Sequence, residues 1–197
     1  RVLPSSSART VNQIAATQPS AAKEIVARQV SAHGYLLEAG QLYLRLSGLL
    51  TDRETESAVA LWKAANLYDR SGERETAVRL LEQFIKDRPG SPRVAEALLR
   101  VGQCYQALNR YEEAIARYKR AVTEFPRTPT AIASLVPLAE CYMATGPQHD
   151  RDAERTLLTV LEESPERPPI ITPEATVFRD ALFKIADLYM QTKQYDR

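Results

Sequence analysis

Few side chains in this sequence are suited to nucleophilic, acid–base or metal chemistry, and they are scattered. The two histidines, His33 and His149, have no set of cysteine, aspartate and histidine residues at metal-binding spacing near them. The sequence also contains no nucleophile paired with a base, no phosphate-binding loop and no dinucleotide-binding glycine fingerprint. We therefore predict no catalytic residue, no metal ligand and no cofactor, and we interpret both histidines as surface turn residues.

The two cysteines occupy equivalent places in an internal repeat. Cys104 and Cys141 are 37 residues apart, the same interval that separates Tyr105 from Tyr142. Neighbouring parallel helices pack about 8 to 10 Å apart, whereas a disulfide needs Cα atoms within about 7 Å. We interpret both cysteines as small buried apolar residues without a redox role.

Charge and hydropathy argue against two classes of partner. With 26 basic and 25 acidic residues, the net charge is +1, so the chain lacks the basic surface that attracts a nucleic acid. No apolar run approaches the roughly 18 residues that cross a bilayer, and no signal peptide is visible. We expect no nucleic-acid binding and no membrane insertion of this segment. Because the chain opens with Arg1 and closes in mid-repeat, we expect it to be a piece of a longer protein.

A repeat of 37 residues organises the elements that position these side chains. Three tyrosines recur at this spacing, each followed four residues later by a turn residue: Tyr68 and Gly72, Tyr105 and Asn109, Tyr142 and Gly146. Repeats of 20 to 50 residues are typical of stacked arrays. The hydrophobic content is 44% and no strand-like alternation is present, so we predict an all-α fold. The predicted copies span residues 58–94, 95–131, 132–178 and, truncated, 179–197.

Hydroxyl residues and prolines predict where the helices of each copy begin and end. Three hydroxyl–proline pairs are predicted to place an N-cap and a first helical residue: Ser91-Pro92, Thr128-Pro129 and Thr172-Pro173. Three further prolines are predicted to end the preceding helices: Pro89, Pro126 and Pro165. Two insertions, at 146–150 and 166–171, are candidate contact loops. Pro137 falls inside a predicted helix and is expected to kink it beside Val136 and Glu140.

The N-terminal part is less regular. Residues 1–20 carry no sustained apolar period, and we predict a flexible linker. Residues 21–57 fit either a degenerate repeat with Gly34 in its turn or a capping helix. Thr51 and Glu54 form a predicted capping box, and a helix should run from there to about Arg70.

The segment 95–126 resembles the tetratricopeptide repeat. Seven residues stand at that family's characteristic positions: Gly102, Tyr105, Tyr111, Ala114, Tyr118, Ala121 and Pro126. Fewer matches occur in the copies on either side: Ala65, Tyr68, Gly72, Ala77, Phe84 and Pro89 before, and Ala139, Tyr142, Gly146, Ala153 and Pro165 after. The resemblance implies a right-handed α-solenoid of stacked helix-turn-helix hairpins. The 37-residue period also resembles repeats of bacterial cell-envelope proteins, such as Tol-Pal accessory proteins and outer-membrane assembly lipoproteins. That likeness implies the periplasm or cell envelope, with the cytoplasm as the alternative.

The resemblance implies that the first helix of each repeat lines a concave partner-binding groove. Carried over, the fifth repeat positions are Trp62, Leu99, Val136 and Phe183, and the ninth are Asn66, Gln103, Glu140 and Asp187. Neighbouring groove positions are Asp69, Glu96, Met143 and Met190, with Arg70 as the nearest base. Members that clasp a C-terminal carboxylate use lysines, arginines and asparagines in the groove. Because only Asn66 is available among these, the sequence does not predict a carboxylate clamp.

Several of these side chains have a second interpretation. Trp62 is either an anchor for a partner or core beneath the helix 35–50. Phe183 fits simple packing as well as binding, and Met143 and Met190 fit either filler or an adaptable binding surface.

We therefore predict a non-catalytic scaffold that holds a peptide or helix of another protein in its groove. An alternative is a structural spacer within a larger multi-repeat protein, and a third possibility is an accessory domain of an enzyme whose catalytic residues lie outside this sequence. Homo-association is a further prediction, through an uncapped apolar face of Leu182, Ile185, Ala186 and Tyr189.

Overall fold

The computed structural model describes residues 19–50, 52–162 and 173–192, and describes side chains for 31–50, 52–162 and 176–192. Throughout these ranges the regular structure is helical, with no strand. The chain divides after Glu73 into two compact units, a boundary inside the predicted repeat 58–94. The first unit holds α1 Pro19–Leu49 and α2 Glu54–Arg70. The second holds α3 Arg74–Asp87, α4 Val94–Ala107, α5 Tyr111–Glu124, α6 Pro129–Thr145, a short 3₁₀ helix Pro147–His149, α7 Asp150–Glu162 and α8 Pro173–Gln191.

In the first unit, α1 is one continuous helix that packs against α2. Gly34 lies inside α1, so the degenerate repeat with a turn at this residue is wrong and a single long helix takes its place. Gly40 permits close packing, because a Cβ there would lie 3.3 Å from the ring of Tyr68 on α2. Helix α2 ends at Arg70 as expected, but its N-cap is Arg53, which makes no capping side-chain bond. Thr51 of the predicted capping box lies outside the described residues.

In the second unit, each helix packs against the next along the chain, and α6 also contacts α4 and α8. A small residue and an aromatic residue meet where α4 and α5 pack together. Gly102 of α4 faces Tyr118 of α5, which is fully buried and fills the space between the two helices. Gly102 and Tyr118 therefore pack directly against each other between α4 and α5.

The predicted turn residues adopt the backbone conformation that turns require. Gly72, Asn109 and Gly146 have φ values of 88°, 58° and 120°, in the region that favours glycine and tolerates asparagine. Each follows a tyrosine near the C-terminal end of a first helix. The repeat spacing therefore located these three turns correctly.

The predicted helix starts have different outcomes. Thr128 caps α6 by accepting a hydrogen bond from the Ala131 amide at 3.2 Å, with Pro129 as the first helical residue. Ser91 does not begin its helix, because α4 starts at Val94 after a turn in which the Ser91 carbonyl accepts from the Val94 amide. Thr172 lies outside the described residues.

The predicted helix ends and inserted loops also have different outcomes. Helices α3 and α5 end two residues before Pro89 and Pro126, as predicted. Pro165, the insertion 166–171 and most of the predicted linker 1–20 lie outside the described residues, although Pro19 and Ser20 already belong to α1. The insertion 146–150 contains the 3₁₀ helix. Helix α6 continues through Pro137, and the kink stays a prediction.

Candidate functional site

The second unit has an open cavity between α6 and α8, lined by three residues that the repeat register predicted for the groove: Val136, Glu140 and Phe183. Val136 lies on its α6 wall and Phe183 on its α8 wall, and the cavity volume is about 340 Å³. Val136 is buried, whereas Phe183 is 66% exposed. The complete lining is Ala133, Val136, Pro137, Glu140, Val177, Asp180, Phe183 and Lys184. An exposed phenylalanine at the mouth of an apolar cavity is a favourable place for a partner side chain.

A second cavity, of about 470 Å³, shares Glu140 and Lys184 with the first. Its other lining residues are Gln106, Tyr111, Met143, Ala144 and Gln191. Met143, predicted as a neighbouring groove position, is half-buried here. We call the two adjoining cavities together the α6–α8 groove.

A hydrogen-bonded network holds the carboxylate of Glu140 between the two cavities. Lys184 Nζ lies 2.9 Å from Glu140 Oε1, and Gln106 Nε2 donates to Glu140 Oε2 at 3.0 Å. The Tyr118 hydroxyl in turn donates to Gln106 Oε1 at 2.9 Å. Both carboxylate oxygens are therefore engaged within the protein, which fixes the side chain rather than leaving it for a partner.

The carboxylate of Glu140 changes the pKa of Lys184. Its hydrogen bond to Glu140 raises the pKa of the Lys184 ammonium above its ordinary value, so Lys184 is protonated at neutral pH. The expectation that Arg70 is the base nearest the acidic groove positions is wrong for Glu140. Neither Lys184 nor Gln106 was predicted, because pairing between different repeats depends on how α8 and α4 pack against α6.

The remaining predicted groove residues of the second unit are more dispersed. Leu99 is half-buried, Gln103 is exposed, and neither lines a cavity of the α6–α8 groove. Glu96 pairs along its own helix with Arg100 at 3.0 Å. Asp187 is half-buried and Met190 is exposed on α8.

In the first unit, the structure places the predicted groove residues on α2. Trp62 is only 7% exposed, so little of its indole is accessible to a partner and its interpretation as core is favoured. Asn66 and Asp69 are half-buried, and Arg70 is exposed at the C-terminal end of the helix. Partner binding by these four residues stays a prediction.

The predicted association face on α8 is smaller than expected. Ile185 is buried, and the Tyr189 hydroxyl donates to Glu154 of α7 at 2.9 Å. Leu182 is 46% exposed and Ala186 is exposed. Self-association through this face stays a prediction that rests on Leu182 rather than on Ile185.

The candidate reactive side chains occupy ordinary structural positions. Cys104 and Cys141 are buried and form no disulfide, and burial raises the pKa of the Cys141 thiol to about 12. His149 lies in the 3₁₀ helix, where its ring stacks on Tyr142 with centroids 5.7 Å apart. His33 lies in α1 and is exposed, so its interpretation as a turn residue is wrong.

Among the described side chains, no group of three or more histidine, cysteine, aspartate or glutamate residues is arranged to hold a metal ion. In the same part of the chain, no helix combines the length and the apolar character needed to cross a bilayer.

Comparison with known proteins identifies the repeat. Residues 63–129 match the family model of the tetratricopeptide repeat. This part of the chain carries tetratricopeptide repeats. Such repeats in general mediate protein–protein interactions, as non-catalytic scaffolds rather than enzymes.

Two solved structures have a similar fold. One is a crystal structure of TPR-like repeats from a Podosopora anserina kinesin light chain, with a TM-score of 0.64, 19% identity, and coverage of 87% of this chain and 85% of that chain. The other is a variant of the same repeats, with a TM-score of 0.59, 18% identity, and coverage of 86% and 93%. At these identities the likeness shows the TPR-like solenoid fold alone. No curated protein matches this sequence.

Proposed function

We propose that the second unit is a binding module that holds a peptide or helix of another protein in the α6–α8 groove. The observation that carries the proposal is the exposed Phe183 opposite Val136, at the mouth of a cavity large enough for a side chain. An exposed large apolar residue beside a cavity loses water-accessible surface when a partner covers it, and that loss stabilises a complex.

The groove offers different chemistry at its two ends. Beside Phe183, apolar walls from Ala133 and Val177 favour an aliphatic or aromatic partner side chain. Beside Tyr111 and Gln106, the second cavity is more polar and favours the backbone or a polar side chain of the same segment. The ion pair between Glu140 and Lys184 lies in the lining of both cavities and separates the two ends.

A single apolar anchor does not suffice for stable binding. Burial of one leucine or phenylalanine side chain contributes about 1.5 to 3 kcal/mol, whereas micromolar affinity corresponds to about 8 kcal/mol. We therefore infer that a partner segment also contacts other predicted groove residues, such as Leu99, Gln103 and Asp187. Partner contact by Trp62, Asn66, Asp69 and Arg70 of the first unit is a separate proposal, which rests on the family resemblance alone. For the location, the resemblance of the 37-residue period to cell-envelope repeats favours the cell envelope, with the cytoplasm as the alternative.

A comparison of two adjacent residues on α8 tests the proposal. Phe183→Asp places a charge at the mouth of the cavity, whereas Leu182→Asp alters an exposed residue that does not line it. The wild-type protein and both variants, matched for helicity by circular dichroism, would be used for quantitative pull-down from an extract of the source organism. We expect a protein retained by the wild type and by Leu182→Asp to be depleted at least tenfold with Phe183→Asp.

The same experiment can contradict the proposal. Equal retention of every bound protein by the wild type and Phe183→Asp would exclude the α6–α8 groove as the binding site. Retention of no protein by any of the three would favour the alternative of a structural spacer.

A further inference from the structure

Helix α1 of the first unit carries a second apolar surface, independent of the α6–α8 groove. Its members recur at alternating intervals of three and four residues: Ala32, Tyr35, Ala39, Leu42, Leu46 and Leu49. Tyr35, Leu42 and Leu49 are 72%, 64% and 80% exposed, although they are large and apolar. We call this set the α1 seam. Alternating spacing of this kind is the a and d pattern of a coiled coil.

The seam is distinct from the face of α1 that packs on α2. That face includes the buried Gly40, against Tyr68, and the half-buried Tyr43, whose ring lies 5.1 Å from the ammonium of Lys63. The two faces meet in an open groove of about 350 Å³, where Leu46 of the seam lies beside Val59 of α2. Val59 is itself exposed, so it continues the apolar surface onto the second helix.

The length of α1 also indicates a missing packing partner. The helix has 31 residues and α2 has 17, which correspond to about 46 Å and 26 Å of helix. Helix α2 therefore covers only part of α1. Gly34 and Gly48 lie within α1 with open space where a Cβ would stand, and glycine disfavours a helix interior by about 1 kcal/mol each. A long helix of this composition is most stable when its apolar seam is covered.

The residues beside the seam indicate what covers it. Glu38 and Arg45 precede seam residues Ala39 and Leu46, so both occupy the g position of the heptad, and both are exposed. Neither makes an ion pair with any residue that the structure describes. In an antiparallel pair of identical helices, g positions face g positions. Glu38 of each copy then lies opposite Arg45 of the other.

The same antiparallel alignment matches the sizes of the seam residues. When Ala39 faces Leu42 of a second copy, Ala32 faces Leu49 and Tyr35 faces Leu46. Each alanine thus faces a leucine, a combination of small and large side chains that allows two helices to approach closely. A parallel alignment would place Glu38 opposite Tyr43 and leave the two charges unused.

We propose that the α1 seam binds the α1 seam of a second copy of this chain, in an antiparallel two-fold pair. Leu42 lies nearest the two-fold axis among the exposed leucines, and Glu38 and Arg45 determine the alignment. The contact is isologous, so it closes at a dimer.

Charge exchange across the pair tests the alignment. The full chain would be studied by sedimentation velocity over a range of protein concentrations at low and at high salt. Glu38→Arg and Arg45→Glu each place like charges opposite one another, and we expect each to weaken dimerisation at least tenfold at low salt. The double variant Glu38→Arg with Arg45→Glu restores both pairs, and its dimerisation constant should return to within about threefold of the wild type.

A matched pair of leucine variants locates the interface. We expect Leu42→Glu to be monomeric with unchanged helicity, because the residue is largely exposed in one copy. Leu182→Glu tests the competing association face on α8, and it should dimerise like the wild type if the α1 seam is the interface. A wild type that is monomeric at all concentrations would overturn the proposal. A dimer that persists in Leu42→Glu, or that is lost in Leu182→Glu, would assign the interface to another surface. Failure of the double charge variant to recover would overturn the antiparallel alignment.

Discussion

Replacement of Gly102 by alanine is the most informative perturbation of the core of the second unit. A Cβ at this position would lie 2.5 Å from Tyr118 Cε1, 2.7 Å from Cδ1 and 2.8 Å from Cζ. These distances are well below van der Waals contact, and the ring is fully buried, so it has little room to move. The substitution must therefore displace either the ring or helix α4.

The magnitude follows from three contributions. Overpacking of a well-packed core costs about 1 to 3 kcal/mol. Displacement of the ring also weakens the hydrogen bond from Tyr118 to Gln106, which contributes about 1 kcal/mol. Alanine is preferred over glycine in a helix interior by about 1 kcal/mol, which offsets the lost bond. We expect a net decrease of about 1 to 3 kcal/mol in the free energy of unfolding.

Urea denaturation followed by circular dichroism measures this change. Gly34→Ala is the control, since a Cβ there meets nothing within 4 Å, and it should leave stability unchanged or raise it by up to about 1 kcal/mol. In a double-mutant cycle, Tyr118→Leu should relieve the clash, so the double variant should lose less stability than the sum of the single variants. If Gly102→Ala is as stable as the wild type, the close approach of α4 to Tyr118 is refuted.

Three further predictions concern single groups in the second unit. Thr128→Ala removes the cap of α6 and should lower the free energy of unfolding by about 1 kcal/mol in urea denaturation, whereas Thr128→Ser should retain most of it. Burial raises the pKa of the Cys141 thiol from 9.0 to about 12, so its alkylation near pH 9 should be slow in the folded protein and fast in urea. The contribution of this thiol to the free energy of unfolding should fall as the pH rises above the pKa of the thiol in the unfolded chain. Lys184→Met should lower the free energy of unfolding by less than about 1 kcal/mol at neutral pH, because the pair with Glu140 is partly exposed. The pKa of Lys184 in the folded protein is raised above 10.5, so the stability difference from the wild type should be full below that pH and disappear as the pH rises further. Urea denaturation at a series of pH values measures this difference.

Local signals in the sequence predicted much of the fold. Asn109 and Gly146 have the positive φ that their places after the tyrosines required, and Thr128 caps its helix. The predicted N-cap at Ser91 was wrong although Ser91-Pro92 has the same local pattern as Thr128-Pro129. The Ser91 carbonyl and hydroxyl accept hydrogen bonds in a turn, and α4 begins only at Val94. The predicted turn at Gly34 was wrong for another reason. A glycine permits a turn but does not force one, and α1 continues through this residue.

The candidate site was predicted in part. The repeat register places Val136 and Phe183 on the first helices of successive repeats, and in the structure they line one cavity. The register carries no information on pairing between repeats, so it missed Lys184 and Gln106 as partners of Glu140. Those contacts depend on the distance and rotation between packed helices.

Photo-cross-linking at position 183 tests the binding role of the α6–α8 groove most directly. A photoreactive phenylalanine analogue would replace Phe183, with Thr123 as the control site because it is exposed on α5 and lines no part of the groove. Irradiation in an extract of the source organism, followed by mass spectrometry, identifies what contacts each position. We predict a distinct protein cross-linked at position 183 and absent at position 123. The same products at both positions, or none at position 183, would contradict the proposal that this groove holds a partner.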